Sequence, residues 1–203
     1  MSGPGWARWE LLYLRAREVP AAAALLPVTM LAVGVLANAS AGPSSTAPAV
    51  VGVCAALLGV AFVGTTLGSA DAVLEHTAAI RWWPRRTVHL VAGTIAVVLL
   101  LLAVDLAGPS LATTAELVRN TLGLIGVTAL CASFTGSRLS WCPAAAWTLL
   151  AVVAGPRSSG AGQVLSWMLQ PADARTAATT AALLAVSGAA SYILAGPAGL
   201  RRA

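Results

Sequence analysis

The chain has 203 residues, of which 58% are hydrophobic and 9% charged, with a formal net charge of +5 and a mean hydropathy of +0.83. A soluble domain carries roughly 25% charged residues, so this composition excludes one and implies an integral membrane protein. All 12 cationic side chains are arginines. Without lysine the chain can build neither a phosphate-binding loop, whose glycines must lead into a Lys, nor a Schiff base. Its basic balance serves to orient membrane spans, and nucleic acid is not an expected partner.

A span needs about 20 apolar residues, which leaves room for about six and for no sizeable soluble domain. Residues 5–18 (GWARWELLYLRARE) place Trp6, Trp9, Leu12 and Tyr13 on one helical face and Arg8, Arg15 and Glu18 largely off it, the pattern of a helix lying in the interface. The first span is expected over 20–38. A basic stretch, an apolar run and ANASA (37–41) also fit a secretory leader, yet the run exceeds the usual core of roughly 7–15 residues. After the turn-rich AGPSSTAP comes a second span, 49–68, with Gly64 and Gly68 in a G-x-x-x-G spacing that permits close helix approach.

The stretch from Ser69 to Val91, SADAVLEHTAAIRWWPRRTVHLV, is the long polar interlude of the chain. It predicts a short helix over 71–83 in which Leu74, Ala78 and Trp82 form one apolar stripe. Asp71, Glu75 and His76 are then left to face away from the membrane. Pro84 forces the residue before it, Trp83, out of the helical region. Trp82, Trp83, Arg85 and Arg86 read as interfacial anchors ahead of a third span, 88–106.

The third span closes on Asp105, and the fourth, 114–136, opens with Glu116, Arg119 and Asn120. Ionisable groups in spans are expensive and often functional, so Asp105, Glu116, Arg119 and Asn120 form a candidate polar cluster. Arg119 is expected to pair with Glu116, three residues away on one helix, or with Asp105. The alternative is a set of helix-end groups snorkelling to the headgroups. A fifth span is expected over 139–154, with Trp147 deep inside it, and a sixth over 177–195. Between them QVLSWMLQ centres a short outer helix, 162–170, too brief to cross, with Trp167 as an interfacial anchor.

No H-E-x-x-H, G-x-S-x-G or paired C-x-x-C occurs. Cys54, Cys131 and Cys142 fall singly in three spans and read as buried thiols acting as small apolar residues. His76 and His89, with only Glu75 nearby, make a poor metal site. Neither metal, cofactor nor catalysis is expected of this chain. With the N-terminus inside, six spans put nine arginines (8, 15, 17, 81, 85, 86, 138, 201 and 202) on the inner side and three (119, 157 and 175) on or near the outer side. That bias places both termini in the cytoplasm of a cell membrane.

This layout, an all-α, six-span protein with an interfacial N-terminal helix, resembles the ABC-2 type permeases, the membrane subunits of ABC exporters. LEHTAAIRWWPRR (74–86) stands where that family has its coupling helix, and GQVLSWMLQ (162–170) where it has a re-entrant outer hairpin. The resemblance implies a permease half that forms a homodimer or heterodimer of membrane subunits. It also implies a separate ATPase subunit, which holds the ATP and docks on Asp71, Glu75, His76, Arg81, Arg85 and Arg86. A non-transport accessory or scaffolding subunit of a larger membrane complex fits the same composition. Neither substrate nor direction follows from the residues.

Overall fold

In hydrocarbon a backbone must satisfy its own N–H and C=O groups, so long apolar runs without breakers become helices. The computed structural model describes residues 15, 19–40, 47–68, 82–108 and 110–198, and among these there is no strand. Seven α-helices follow in order: α1 Val19–Ser40, α2 Ala47–Thr66, α3 Trp83–Ala107, α4 Thr114–Thr135, α5 Cys142–Ala154, α6 Gly160–Leu165 and α7 Arg175–Ala195. A single 3-10 turn, Trp167–Leu169, lies between α6 and α7. Five of the helices, α1 to α4 and α7, are long and apolar enough to cross a bilayer. The chain is thus an all-helical, multi-pass membrane protein. The expected interfacial helix at 5–18 and most of the expected 71–83 helix lie outside the described residues.

Two expectations change. The third membrane helix begins at Trp83 rather than 88, with proline at the start of its first turn. Pro84 there acts as a helix opener, since its missing N–H is an orphan at that position anyway and its fixed φ suits the helix. Arg85 and Arg86 therefore belong to the span helix and not to a loop before it. The expected fifth span shrinks to α5, which has 13 residues. At 1.5 Å per residue it is about 20 Å long, short of a hydrocarbon core of roughly 30 Å. Pro143 in its first turn and Gly155 at its end, with φ 69°, set those limits.

Helices α1 to α5 run alternately up and down, and α7 runs parallel to α4. A side chain added at Gly34 of α1 would meet Val104 of α3, at Gly59 of α2 it would meet Val97 and Met30, and at Gly93 of α3 it would meet Val63. Those pairings put Asp105, Thr114 and Arg175 at one end of the bundle, with Arg86, Gly136 and Gly196 at the other. At that second end the Ala198 N–H donates to the Ala132 carbonyl at 3.0 Å. Tyr192 reaches from α7 to donate its hydroxyl to the Leu67 carbonyl, 3.1 Å away, just beyond α2.

The centre of the bundle is α4, of whose 22 residues 11 are buried. It packs on α2, α3, α5 and α7, whereas α1 stays outside against α2 and α3. Against α7 the approach is backbone to backbone. A Cβ on Gly188 would run into the Gly126 carbonyl, and one on Gly126 into the backbone of Leu184 and Ala185. Lipid tails are as apolar as the side chains, so helices in a bilayer associate by such close packing. Gly64 and Gly68, singled out by their spacing, instead let Thr128, Ser140 and Ser137 approach the end of α2. Cys54 is exposed on α2 and not buried as expected, while Cys131 is partly buried and Cys142 lies at the start of α5.

The Gly126 and Gly188 contact sets a prediction. Gly188→Ala should destabilise the bundle by at least about 2 kcal/mol, read as a lowered thermal midpoint in detergent, because backbone cannot yield as a side-chain tip can. Gly160→Ala, where nothing lies within 4 Å, should leave the midpoint unchanged or slightly raised.

Candidate functional site

Asp105, Glu116 and Arg119, at the first end of the bundle, each hold backbone. Thr113 caps α4, its hydroxyl accepting from Glu116 N at 3.3 Å, and the Glu116 carboxylate accepts from Thr113 N at 2.9 Å. This reciprocal box satisfies two orphan donors of the helix start. Asp105 accepts from Leu111 N at 2.6 Å and so closes the connection between α3 and α4. Neither carboxylate is the partner that Arg119 was expected to find.

Arg119, one turn further along α4, donates from Nη2 to the Gln170 carbonyl at 2.7 Å and from Nη1 to the Pro171 carbonyl at 2.9 Å. Its Nε donates to Asn120 Oδ1 at 3.2 Å, which fixes the amide so that Nδ2 donates to the Met168 carbonyl at 2.8 Å. The expected ion pair is thus replaced by a clamp on three carbonyls. The reason is distance in sequence only, since the carbonyls come from a segment about 50 residues downstream that folds back against α4.

That segment, 155–174, is the expected short outer helix in a more elaborate form. The Ser159 hydroxyl caps α6 by accepting from Gly162 N at 3.2 Å. Ser166 accepts from Arg157 N at 3.1 Å and from Gln170 Nε2 at 2.9 Å, and donates to the Gly162 carbonyl at 2.9 Å. Gln170 Nε2 also donates to the Arg157 carbonyl at 2.9 Å. Trp147 of α5 donates its indole N–H to the Leu165 carbonyl at 2.9 Å, which gives this residue, read as deep in a span, a polar role.

Trp167 is 0% exposed and not an interfacial anchor. Its six-membered ring lies over Gly123 of α4, in space that any Cβ there would occupy. Asn120 and Gly123 lie about 9 and about 14 Å along α4 from Thr114, so the segment penetrates well into the bundle. The signal for this seat was present in the sequence, because Asn120 and Gly123 are three apart and share a face, but the residue that fills it is 44 positions away. Among the described residues the Trp167 indole N–H has no hydrogen-bond partner. Beside the clamp, a cavity of about 50 Å³ is lined by Gly52, Glu116, Asn120, Met168 and Gln170, enough for a few water molecules and too small for a cargo molecule.

At the opposite end lie the described members of the expected docking set. Arg85 stacks over Trp82 at 5.5 Å and is exposed. Arg86 is only 6% exposed and its guanidinium packs on Gly196, so it belongs to the bundle and not to a surface. His89 sits one turn on, with Nε2 3.0 Å from Thr66 Oγ1. The Thr66 hydroxyl already donates to the Val63 carbonyl at 2.7 Å, so the ring nitrogen is the donor in the pair. Asp71, Glu75, His76 and Arg81 lie outside the described residues.

If the clamp works as a unit, its members couple. Arg119→Leu and Asn120→Leu should each lower the thermal midpoint, and the double variant should lose less than the sum, with a coupling on the order of 1 kcal/mol in a double-mutant cycle. Strict additivity would show two independent contacts. No protein-family model, curated protein or solved structure matches the chain.

Proposed function

We propose that this chain is the permease half of an ATP-driven exporter, completed by a second membrane subunit, identical or different, and energised by a separate ATPase that docks on the 71–86 stretch. The observation that carries the reading is the segment between α5 and α7, which enters the bundle beside a membrane helix too short to cross alone and returns to the same end. Non-helical backbone at that depth is tolerated only where protein covers it or where it lines an aqueous path, and a re-entrant element before the last span suits a permease. The cavity beside the clamp holds only a few waters, and in this reading the cargo route runs between subunits.

Arginine placement supports the orientation. Arg85, Arg86 and Arg138 lie at the end where residues 69–81 connect α2 to α3, and Arg119, Arg157 and Arg175 lie at the other. By the positive-inside bias the former end is cytoplasmic, with both termini, in a cell membrane. ATP belongs to the partner, and this chain binds no cofactor and performs no catalysis of its own. Arg85, free of the bundle core, remains in the docking set with Asp71, Glu75, His76 and Arg81, whereas Arg86 shapes the end of α3 beneath it.

Docking predicts a charge-reversal effect. A buried interfacial charge pair loses roughly 2–5 kcal/mol when one member is removed, against at most about 1 kcal/mol for a solvated charge. Glu75→Arg should abolish co-purification with the proposed ATPase subunit, and the ATP hydrolysis stimulated by the complex, while the helical content and thermal midpoint stay unchanged. Undiminished complex formation would contradict docking through Glu75, and absence of any ATPase partner would favour the accessory or scaffolding role.

A further inference from the structure

Among the described residues, the backbone-to-backbone hydrogen bonds of 155–174 stay within the segment or at its own junctions with α5 and α7. Four bonds from side chains hold it to the bundle, two from Arg119, one from Asn120 and one from Trp147, together with the burial of Trp167 and Met168. The bundle beneath is secured separately. Gly126 and Gly188 join α4 to α7 one turn below the Gly123 seat, a contact to which the segment contributes no atom.

Two further features favour release. Gly155, at the start of the segment, has φ 69° and open space where a Cβ would point, and the far end turns through the exposed residues Pro171, Ala172 and Asp173. Among the described residues the buried indole N–H of Trp167 has no acceptor in the seated position, and an orphaned buried donor is an expense that water removes as soon as the ring emerges. The small cavity lies on the same seam, between α2, α4 and the 168–170 stretch.

We propose that residues 156–173 are a latch, which swings out of the bundle as a unit about Gly155 and the 171–173 turn while the spanning helices remain packed. Arg119, Asn120 and Trp147 are the catch, and release uncovers Asn120 and Gly123 on the wall of α4. This device goes beyond the exporter reading and requires no ATPase to operate.

The test uses the full chain in lipid vesicles and in detergent, with Cys54→Ala, Cys131→Ala and Cys142→Ser as background and Ser166→Cys as reporter. Ser166 is 0% exposed when the latch is seated, so a water-soluble maleimide reads its opening. Labelling should be slow in this parent, at least about tenfold faster with Arg119→Gln and several-fold faster with Trp147→Phe, which keeps the ring and removes the N–H. In the parent itself, labelling on warming should begin below the temperature at which helical circular dichroism is lost, as local opening requires. Labelling that stays slow in both variants, or that in the parent begins only with loss of helicity, would overturn the latch. A Ser159→Cys reporter, at an exposed position, should label rapidly throughout and checks the reagent.

Discussion

Non-helical backbone inside a membrane bundle must have hydrogen-bond donors and acceptors brought to it, and the structure is arranged around that requirement. Because α5 stops after 13 residues, the chain from Gly155 to Ala174 has to fill the rest of that quadrant without a continuous helix. Its carbonyls at 165, 168, 170 and 171 are met by side chains of α4 and α5, and its own hydroxyl and amide groups tie it internally through Ser166 and Gln170. Placing Arg119 and Asn120 in the second turn of the central helix follows from this. Those groups would be a burden against lipid, and they become structural once three carbonyls face them.

The same requirement explains why α4 is central. It presents a polar first turn to its own capping box, a second turn to the clamp, glycine at 123 to Trp167 and glycine at 126 to α7. Each successive turn has a different neighbour. A helix with this many obligations cannot lie at the periphery, and the alanine and glycine content of α7 is what allows it to come close enough. Arg86 repeats the theme at the opposite end, where a buried guanidinium is accommodated by the glycine at 196.

Much of this was legible from composition and periodicity. The all-helical membrane class, the positions of the long apolar helices at 20–38, 49–68, 114–136 and 177–195, and a short non-spanning element before the last of them are all seen, with ends shifted by two residues or fewer in each of those long helices. Local chemistry misled in two places. Pro84 opens a helix where the rule for the residue before proline predicts a break, because that rule and the preference for proline in the first turn act on the same dipeptide. Trp167 is buried where the usual role of tryptophan at the edge of a membrane segment predicts an interfacial anchor, since nothing adjacent in sequence announces a glycine seat on another helix. Arg119 shows the limit most clearly. Local spacing offers Glu116 as its partner, but Glu116 is already engaged with the backbone of Thr113, and the carbonyls that Arg119 chooses are long-range contacts invisible to periodicity.

In the exporter reading proposed above, α5, though short, carries the chain from one face of the membrane to the other with the re-entrant segment completing the passage. This crossing is tested most directly by single cysteines at two exposed positions on either side of α5, Arg138→Cys and Ser159→Cys, in a cysteine-free background and in sealed vesicles of defined orientation. A membrane-impermeant maleimide should reach Ser159→Cys from the outer face alone and Arg138→Cys only after the vesicles are opened. Labelling of both positions from the same face would contradict the account, because α5 would then be a peripheral hairpin and the clamp would lie outside the membrane region.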